Sequence, residues 1–186
     1  MRSYSQLLLF VFCALTLSSC EFNCSVGKNK EEPVKGGTVK SSTVVKDGTT
    51  ITNNITLDVK GVKVKKATLL LPDNTQVSDD NMVNVNQKIK LVLFIEDGWT
   101  LKNGKNYIGG SEKIVASNGQ VVVDAADLFA DYTTSGIDPE DAKIISLSAV
   151  ITQEAGSSNY YEVTFRVWDK AGTGEITGSY RFSIKH

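Results

Sequence analysis

Residues 161–185 read YEVTFRVWDKAGTGEITGSYRFSIK, and this stretch decides the fold. Tyr161, Val163, Phe165 and Val167 alternate with Glu162, Thr164 and Arg166. Further on, Ile176, Gly178, Tyr180, Phe182 and Ile184 alternate with Ser179, Arg181, Ser183 and Lys185. Successive side chains of a strand point to opposite faces, so a period of two places one face in a core and the other in water. Between the two runs, residues 169–174 (DKAGTG) hold glycines that permit the positive φ of a tight turn. The stretch therefore predicts a β-hairpin.

Working outward, the same period recurs. Ile145, Leu147, Ala149 and Ile151 alternate with Ser146 and Ser148, and Val121 and Val123 mark a shorter strand. Ile89, Leu91, Leu93 and Ile95 form the clearest apolar face of the middle region; Val92 and Phe94 on the other face predict a central strand buried on both sides. Ile55, Leu57 and Val59 point one way, and Val62 and Val64 are read as their continuation after Gly61. A slip at Lys65-Lys66, after which Ala67, Leu69 and Leu71 come into phase, predicts a bulge. Two short loop helices are expected, one opened by Asp124 as N-cap with Asp127 in its first turn. The other is opened by Asp138 with Pro139 at the first helical position. The expectation is an all-β body, residues 38–186, built as an immunoglobulin-like two-sheet sandwich of about eight or nine strands.

Before this body the pattern changes. Residues 1–19 carry Arg2 and an apolar run from Leu7 to Leu17, too short for the roughly 20 residues that span a bilayer, and read as an export signal. Residues 20–37 carry charges, Pro33 and Gly36-Gly37 without apolar periodicity, and read as a flexible tether with a reach of at most about 60 Å. Leu17-Ser18-Ser19-Cys20 resembles a bacterial lipobox. The resemblance implies recognition through Leu17, Ser18 and Ser19, cleavage before Cys20, and lipid on Cys20, whose acyl chains would hold the protein on a membrane. Cys13 leaves with the signal and Cys24 alone remains, so no internal disulfide is expected.

Composition narrows the function classes. Hydrophobic residues make up 41% of the 186 and charged residues 22%, values of a chain that buries a core. The formal charge of −1 supplies no basic excess for a phosphate backbone, so nucleic acid is not an expected partner. The single histidine is His186, which leaves no internal Ser-His-Asp or Cys-His pair and no multi-histidine metal site. No phosphate-binding glycine loop or nucleophile elbow occurs, so neither an enzyme nor a cofactor is expected.

Two groups remain as candidate sites. Asp124, Asp127 and Asp131, with Asp138, Glu140 and Asp141 nearby, offer oxygens to a hard cation such as Ca²⁺, although helix capping and solvation account for most of them. Asp79-Asp80-Asn81 reads as a solvated turn. Trp99, Tyr107, Tyr132 and Trp168, with Tyr160 and Tyr161, fall at strand ends or loops; there rings either stack on a ligand or plug the ends of the sandwich. Tyr161 belongs to the core face by alternation. Trp168 and Trp99 are the leading ligand-binding candidates, followed by Tyr107 and Tyr132.

Lipobox, acidic tether, β-sandwich and the turn Trp168-Asp169-Lys170-Ala171-Gly172 together resemble Bacteroidales-type lipoproteins with immunoglobulin-like domains. The resemblance implies an outer-membrane, lipid-anchored protein facing either side, with a protein or glycan as partner. A binding or adhesion module is the first expectation. A structural subunit of an envelope assembly, with Lys40 to Ile55 as an exchangeable strand, is the second. A glycan-active hydrolase is the least supported, since no carboxylate pair is placed to flank a bond.

Overall fold

A computed structural model describes residues 23–26, 43–156 and 158–185. The chain is all-β, with strands β1 (Asn23–Val26), β2 (Val44–Lys46), β3 (Thr49–Ile51), β4 (Thr56–Lys60), β5 (Lys63–Leu70), β6 (Met82–Val83) and β7 (Lys88–Asp97). There follow β8 (Leu101–Lys102), β9 (Lys105–Asn106), β10 (Ile108–Ala116), β11 (Val121–Ala125), β12 (Ile144–Val150), β13 (Tyr161–Asp169) and β14 (Glu175–Ile184). One sheet runs β1-β12-β7-β5-β3-β2; the other runs β11-β10-β13-β14-β4, with β6 parallel to the end of β14. Strands β8 and β9 form a separate small ribbon. The inward residues of both sheets make one contiguous apolar core, from Leu69, Leu91 and Leu147 on the first to Ile114, Val163 and Ile176 on the second. Two sheets closed on one core form a β-sandwich.

The hairpin of β13 and β14 is as the alternation predicts, with Val163 opposite Tyr180 and Val167 opposite Ile176. Central β7 is buried on both faces, Leu91 toward the core and Val92 away from it. The slip at Lys65 is a bulge: Val64 pairs with Ile95 and Lys66 with Phe94, so the register steps over Lys65.

Several expectations are corrected. Strands are more numerous than eight or nine, because short edge strands extend both sheets. The run from Ile55 to Val64 is two strands, not one continued strand. Gly61, at φ +68, turns the chain out of β4 in the second sheet and into β5 in the first. Asp124 opens no helix. It lies within β11 and pairs with Lys113 across the ladder at 3.3 Å, and the helical turn comes later, a 3-10 turn at Ala130–Tyr132. The second turn is likewise 3-10, at Asp141–Lys143, just after Pro139. Within the segment read as a flexible tether, residues 23–26 are a strand: β1 lies antiparallel on β12, Asn23 opposite Ser148 and Val26 opposite Ile145. An edge strand leaves one row of N–H and C=O groups without ladder partners, and β1 fills that row on β12.

One polar knot ties the sheets together at the Asn53 end. Asn53 is fully buried with φ +59, a left-handed conformation that asparagine tolerates. Its amide donates to Val77 O (2.9 Å) and Asn81 Oδ1 (3.0 Å), and its carbonyl accepts from Leu69 N (3.1 Å) and Thr52 Oγ1 (2.8 Å). Asn81 donates in turn to Asn53 O and to Arg181 O of β14, both at 2.8 Å. Asn53→Gly keeps the left-handed backbone and removes these bonds, so it should lower stability by about 3 kcal/mol or more. Asn54→Gly at the exposed neighbour should stay within about 1 kcal/mol. Urea unfolding followed by tyrosine and tryptophan fluorescence measures both.

Candidate functional site

The loop end of the sandwich is built around the turn after β13. Asp169 is buried, and its carboxylate accepts from Thr100 N (2.7 Å) and Ala171 N (2.8 Å). Lys170 N donates to Tyr107 O at 2.7 Å, which ties residues 98–107 to the turn. Asn106 and Ile137 exchange two backbone bonds, which brings in residues 126–143. Lys170 Nζ closes the end, 2.6 Å from Asp127 Oδ2 and 2.9 Å from Thr133 Oγ1.

This end gathers all four predicted aromatic residues. Trp99 is half-buried against the core, and its Nε1 donates to Ala142 O at 3.1 Å. Tyr132 also packs on the core. The Tyr107 ring lies against Gly136, where a β-carbon would stand 3.2 Å from Cζ. Trp99 and Tyr132 pack on the core at this end, as the plugging alternative of the sequence reading has it, while the half-buried Tyr107 lies over the loop at Gly136. Trp168 differs, because it projects from the outer face of the second sheet. Its ring lies across Gly109 of the neighbouring strand, where a β-carbon would come within 2.1 Å of Cε2, so only glycine fits beneath it. The Arg166 guanidinium lies 4.8 Å from the Trp168 ring centre and pairs with Glu175.

The same face repeats this pairing at its other end. Arg181 of β14 lies 4.8 Å from the Tyr160 ring centre and pairs with Glu162 at 3.1 Å. Beside it opens a cleft of about 550 Å³, lined among others by Thr56, Asp79, Asp80 and Ser183. The Ser78 hydroxyl and the Met82 N–H hold the Asp80 carboxyl below the usual aspartate range. Alternation could place Tyr160 at a strand end; the Arg181 partnership depends on the register of β13 on β14.

The acidic cluster does not assemble. Asp124 pairs with Lys113, Asp127 with Lys170, Asp138 with Lys105 at 2.6 Å, and Glu140 with Lys143 at 2.7 Å, while Asp131 stands exposed. Among the described residues no group of three or more His, Cys, Asp or Glu side chains is arranged to hold a metal ion, so the Asp124, Asp127 and Asp131 reading is corrected. Lys113, Lys170 and Lys105 arrive from another strand or loop, pairings that spacing along the chain does not display; Lys143 alone lies three residues from its partner. Leu17, Ser18, Ser19 and Cys20 lie outside the described residues. Among the described residues no helix is long and apolar enough to cross a membrane.

No protein-family model matches the chain, and no curated protein matches it. Among solved structures, the chain is similar to the C-terminal domain of wzt, at a TM-score of 0.45 and 9% identity, over 72% of this chain and 79% of that one.

The loop end supplies a test of its own construction. Burial pushes the Asp127 carboxyl up, but Lys170 and the N–H groups of Gly110 and Phe129 outweigh it and hold the carboxyl below its usual range. A depressed folded value stabilises above the unfolded aspartate range, and the contribution fades as pH falls through the folded value. Asp127→Asn should therefore cost about 1–3 kcal/mol at pH 7, and the gap from wild type should narrow below about pH 4. Unfolding midpoints measured across pH give both quantities.

Proposed function

We propose that this protein is a lipid-anchored envelope module with an immunoglobulin-like sandwich that binds a glycan or protein through the outer face of its second sheet. The single observation that carries the binding reading is the pair of arginine–aromatic stacks, Arg166–Trp168 and Arg181–Tyr160, on one sheet face. Tryptophan, tyrosine and arginine are the side chains most enriched where binding energy concentrates. Here each ring is already ordered by its arginine, and each arginine by a carboxylate, so little side-chain freedom remains to be lost on binding.

Two features support the immunoglobulin-like type. Counting β5, β7, β10, β11, β12, β13 and β14 as seven core strands, one sheet has the order fifth-second-first and the other fourth-third-sixth-seventh. Tyr161, at the start of the sixth, accepts a hydrogen bond on its hydroxyl from Ala155 N, 3.0 Å away and six residues upstream. A tyrosine corner, in which a tyrosine at the start of the sixth strand bonds back to the upstream backbone, is found in such domains. The membrane anchor rests on Leu17-Ser18-Ser19-Cys20, and the order of β1 three residues after Cys20 would seat the sandwich close to the bilayer.

A second reading, an assembly subunit, is favoured by the exposed edge of β2, where Val44 is 59% and Val45 69% exposed. Exposed strand edges invite pairing with another chain.

On a glycan array, Trp168→Ala and Tyr160→Ala should each lower binding at least about tenfold while unfolding stays cooperative. Unchanged binding by both variants, or an oligomer on sedimentation that dissociates when Val45 becomes Lys, would favour the assembly reading instead. Membrane fractionation of Cys20→Ser tests the anchor: the expected result is release into the soluble fraction.

A further inference from the structure

Glu112 occupies a place where alternation calls for an apolar residue. It lies in phase with Ile108, Gly110, Ile114 and Ala116 on the inward face of β10, and it is 1% exposed. Its cross-strand neighbours are Phe165 on β13 and Ala125 on β11. Tyr180 of β14, itself buried, is the titratable group beside it. Neither Glu112 carboxyl oxygen, nor the Tyr180 hydroxyl, completes a hydrogen bond of normal geometry. The charged residues nearest in register stand on the opposite face of the sheet, Lys113 paired with Asp124 and Arg166 with Glu175. Across the core, the inward residues of the first sheet are apolar, among them Leu69 on β5, Leu93 on β7 and Leu147 on β12. Among the described residues no cation faces the carboxyl from within, so its neutral form is the one the core accommodates.

We propose that Glu112 is a proton-operated latch on the β10–β11 edge: protonated, it rests in the core against Tyr180, and once the proton leaves to water the carboxylate is drawn outward and β11 loosens. The place of β11 favours this outcome. It is the outermost strand of its sheet, its register on β10 shifts between Ile114 and Val115, and Val121 at its start is half-exposed. A cleft of about 430 Å³, lined among others by Lys113, Ala125 and Arg166, borders Glu112 and gives the freed carboxylate a way to water.

Burial holds the Glu112 carboxyl at about 7 against the ordinary 4.5, with Tyr180 acting in the opposite direction. A raised folded value means that the closed state binds the proton more tightly than the open one. Its contribution is full below about 4.5 and is lost as pH rises through about 7.

The test is an NMR titration of the Glu112 carboxyl carbon in the full-length chain, together with amide exchange of β11 corrected for intrinsic rates. The carboxyl should titrate near 7, and the opening constant of the β11 amides should rise about 50- to 100-fold between pH 5 and pH 8. Glu112→Gln should remove that rise. A carboxyl titrating in the ordinary glutamate range overturns the latch. Protection lost equally from β13 and β14, or in parallel by Glu112→Gln, also overturns it. The titration and the strand-by-strand comparison in wild type stand without the variant.

Discussion

The sandwich depends on how its two sheets are held in one register, and at one end that is the work of the Asn53 side chain. Apolar burial brings sheets together without regard to direction, because hydrophobic contact is not specific in angle. Asn53 adds direction. Its amide reaches the loop that carries Val77 and Asn81, its carbonyl reaches β5 at Leu69, and through Asn81 the connection passes to β14. These groups sit away from water, so each bond left unmade would carry its full desolvation cost. The arrangement is possible because Asn53 and Asn81 both adopt positive φ, as do Asn54 beside Asn53 and Asn74, Asn86 and Asn103 at other turns. Asparagine serves here where glycine would otherwise be needed, and it contributes a donor and an acceptor as well.

With the sheets held, the opposite end and the outer face divide the aromatic residues between two tasks. Trp99 and Tyr132 pack on the core at the loop end with Tyr107 over Gly136 beside them, where Asp169 and Lys170 bind three segments to one turn. Trp168 and Tyr160 remain on the open face with an arginine each. The same sheet buries Glu112 on its inner side, so one layer combines a prepared surface with an uncompensated acid behind it. Glu112 is held by two ladders, but one of them is to β11, the outermost strand of the sheet, so the acid lies beside the part of the layer with the fewest neighbours.

The strands with strict alternation were legible from residue types alone. Strands β7, β12, β13 and β14 and the bulge at Lys65 follow from period two, since a one-residue slip would turn a whole apolar face into water. The break at Gly61 was not legible, because Leu57, Val59, Val62 and Val64 are apolar whether they line one strand or two strands in different sheets. Asp124 was misread for a related reason. A carboxylate before two alanines has the composition of a helix start, but its pairing with Lys113 belongs to the ladder and outweighs local propensity. Of the candidate site, the ring types and their places at strand ends were visible, whereas their partners were not: Arg181 is twenty-one positions from Tyr160 along the chain but adjacent to it in space.

By itself, then, the sequence determined the class of structure, the hairpin of residues 161–184, the buried centre of β7, and the lipobox-like residues from which an anchor is proposed. These are local properties, set by periodicity and residue chemistry over a few consecutive positions. Tertiary structure decided which sheet each strand joins, which aromatic residues pack at the loop end and which lie on the outer sheet face, and that the acidic residues go to separate lysines instead of a common ion. It also decided that Glu112 lies in the core without a partner. Each of these outcomes depends on contacts between residues far apart in the chain, which only the register of the two sheets brings together.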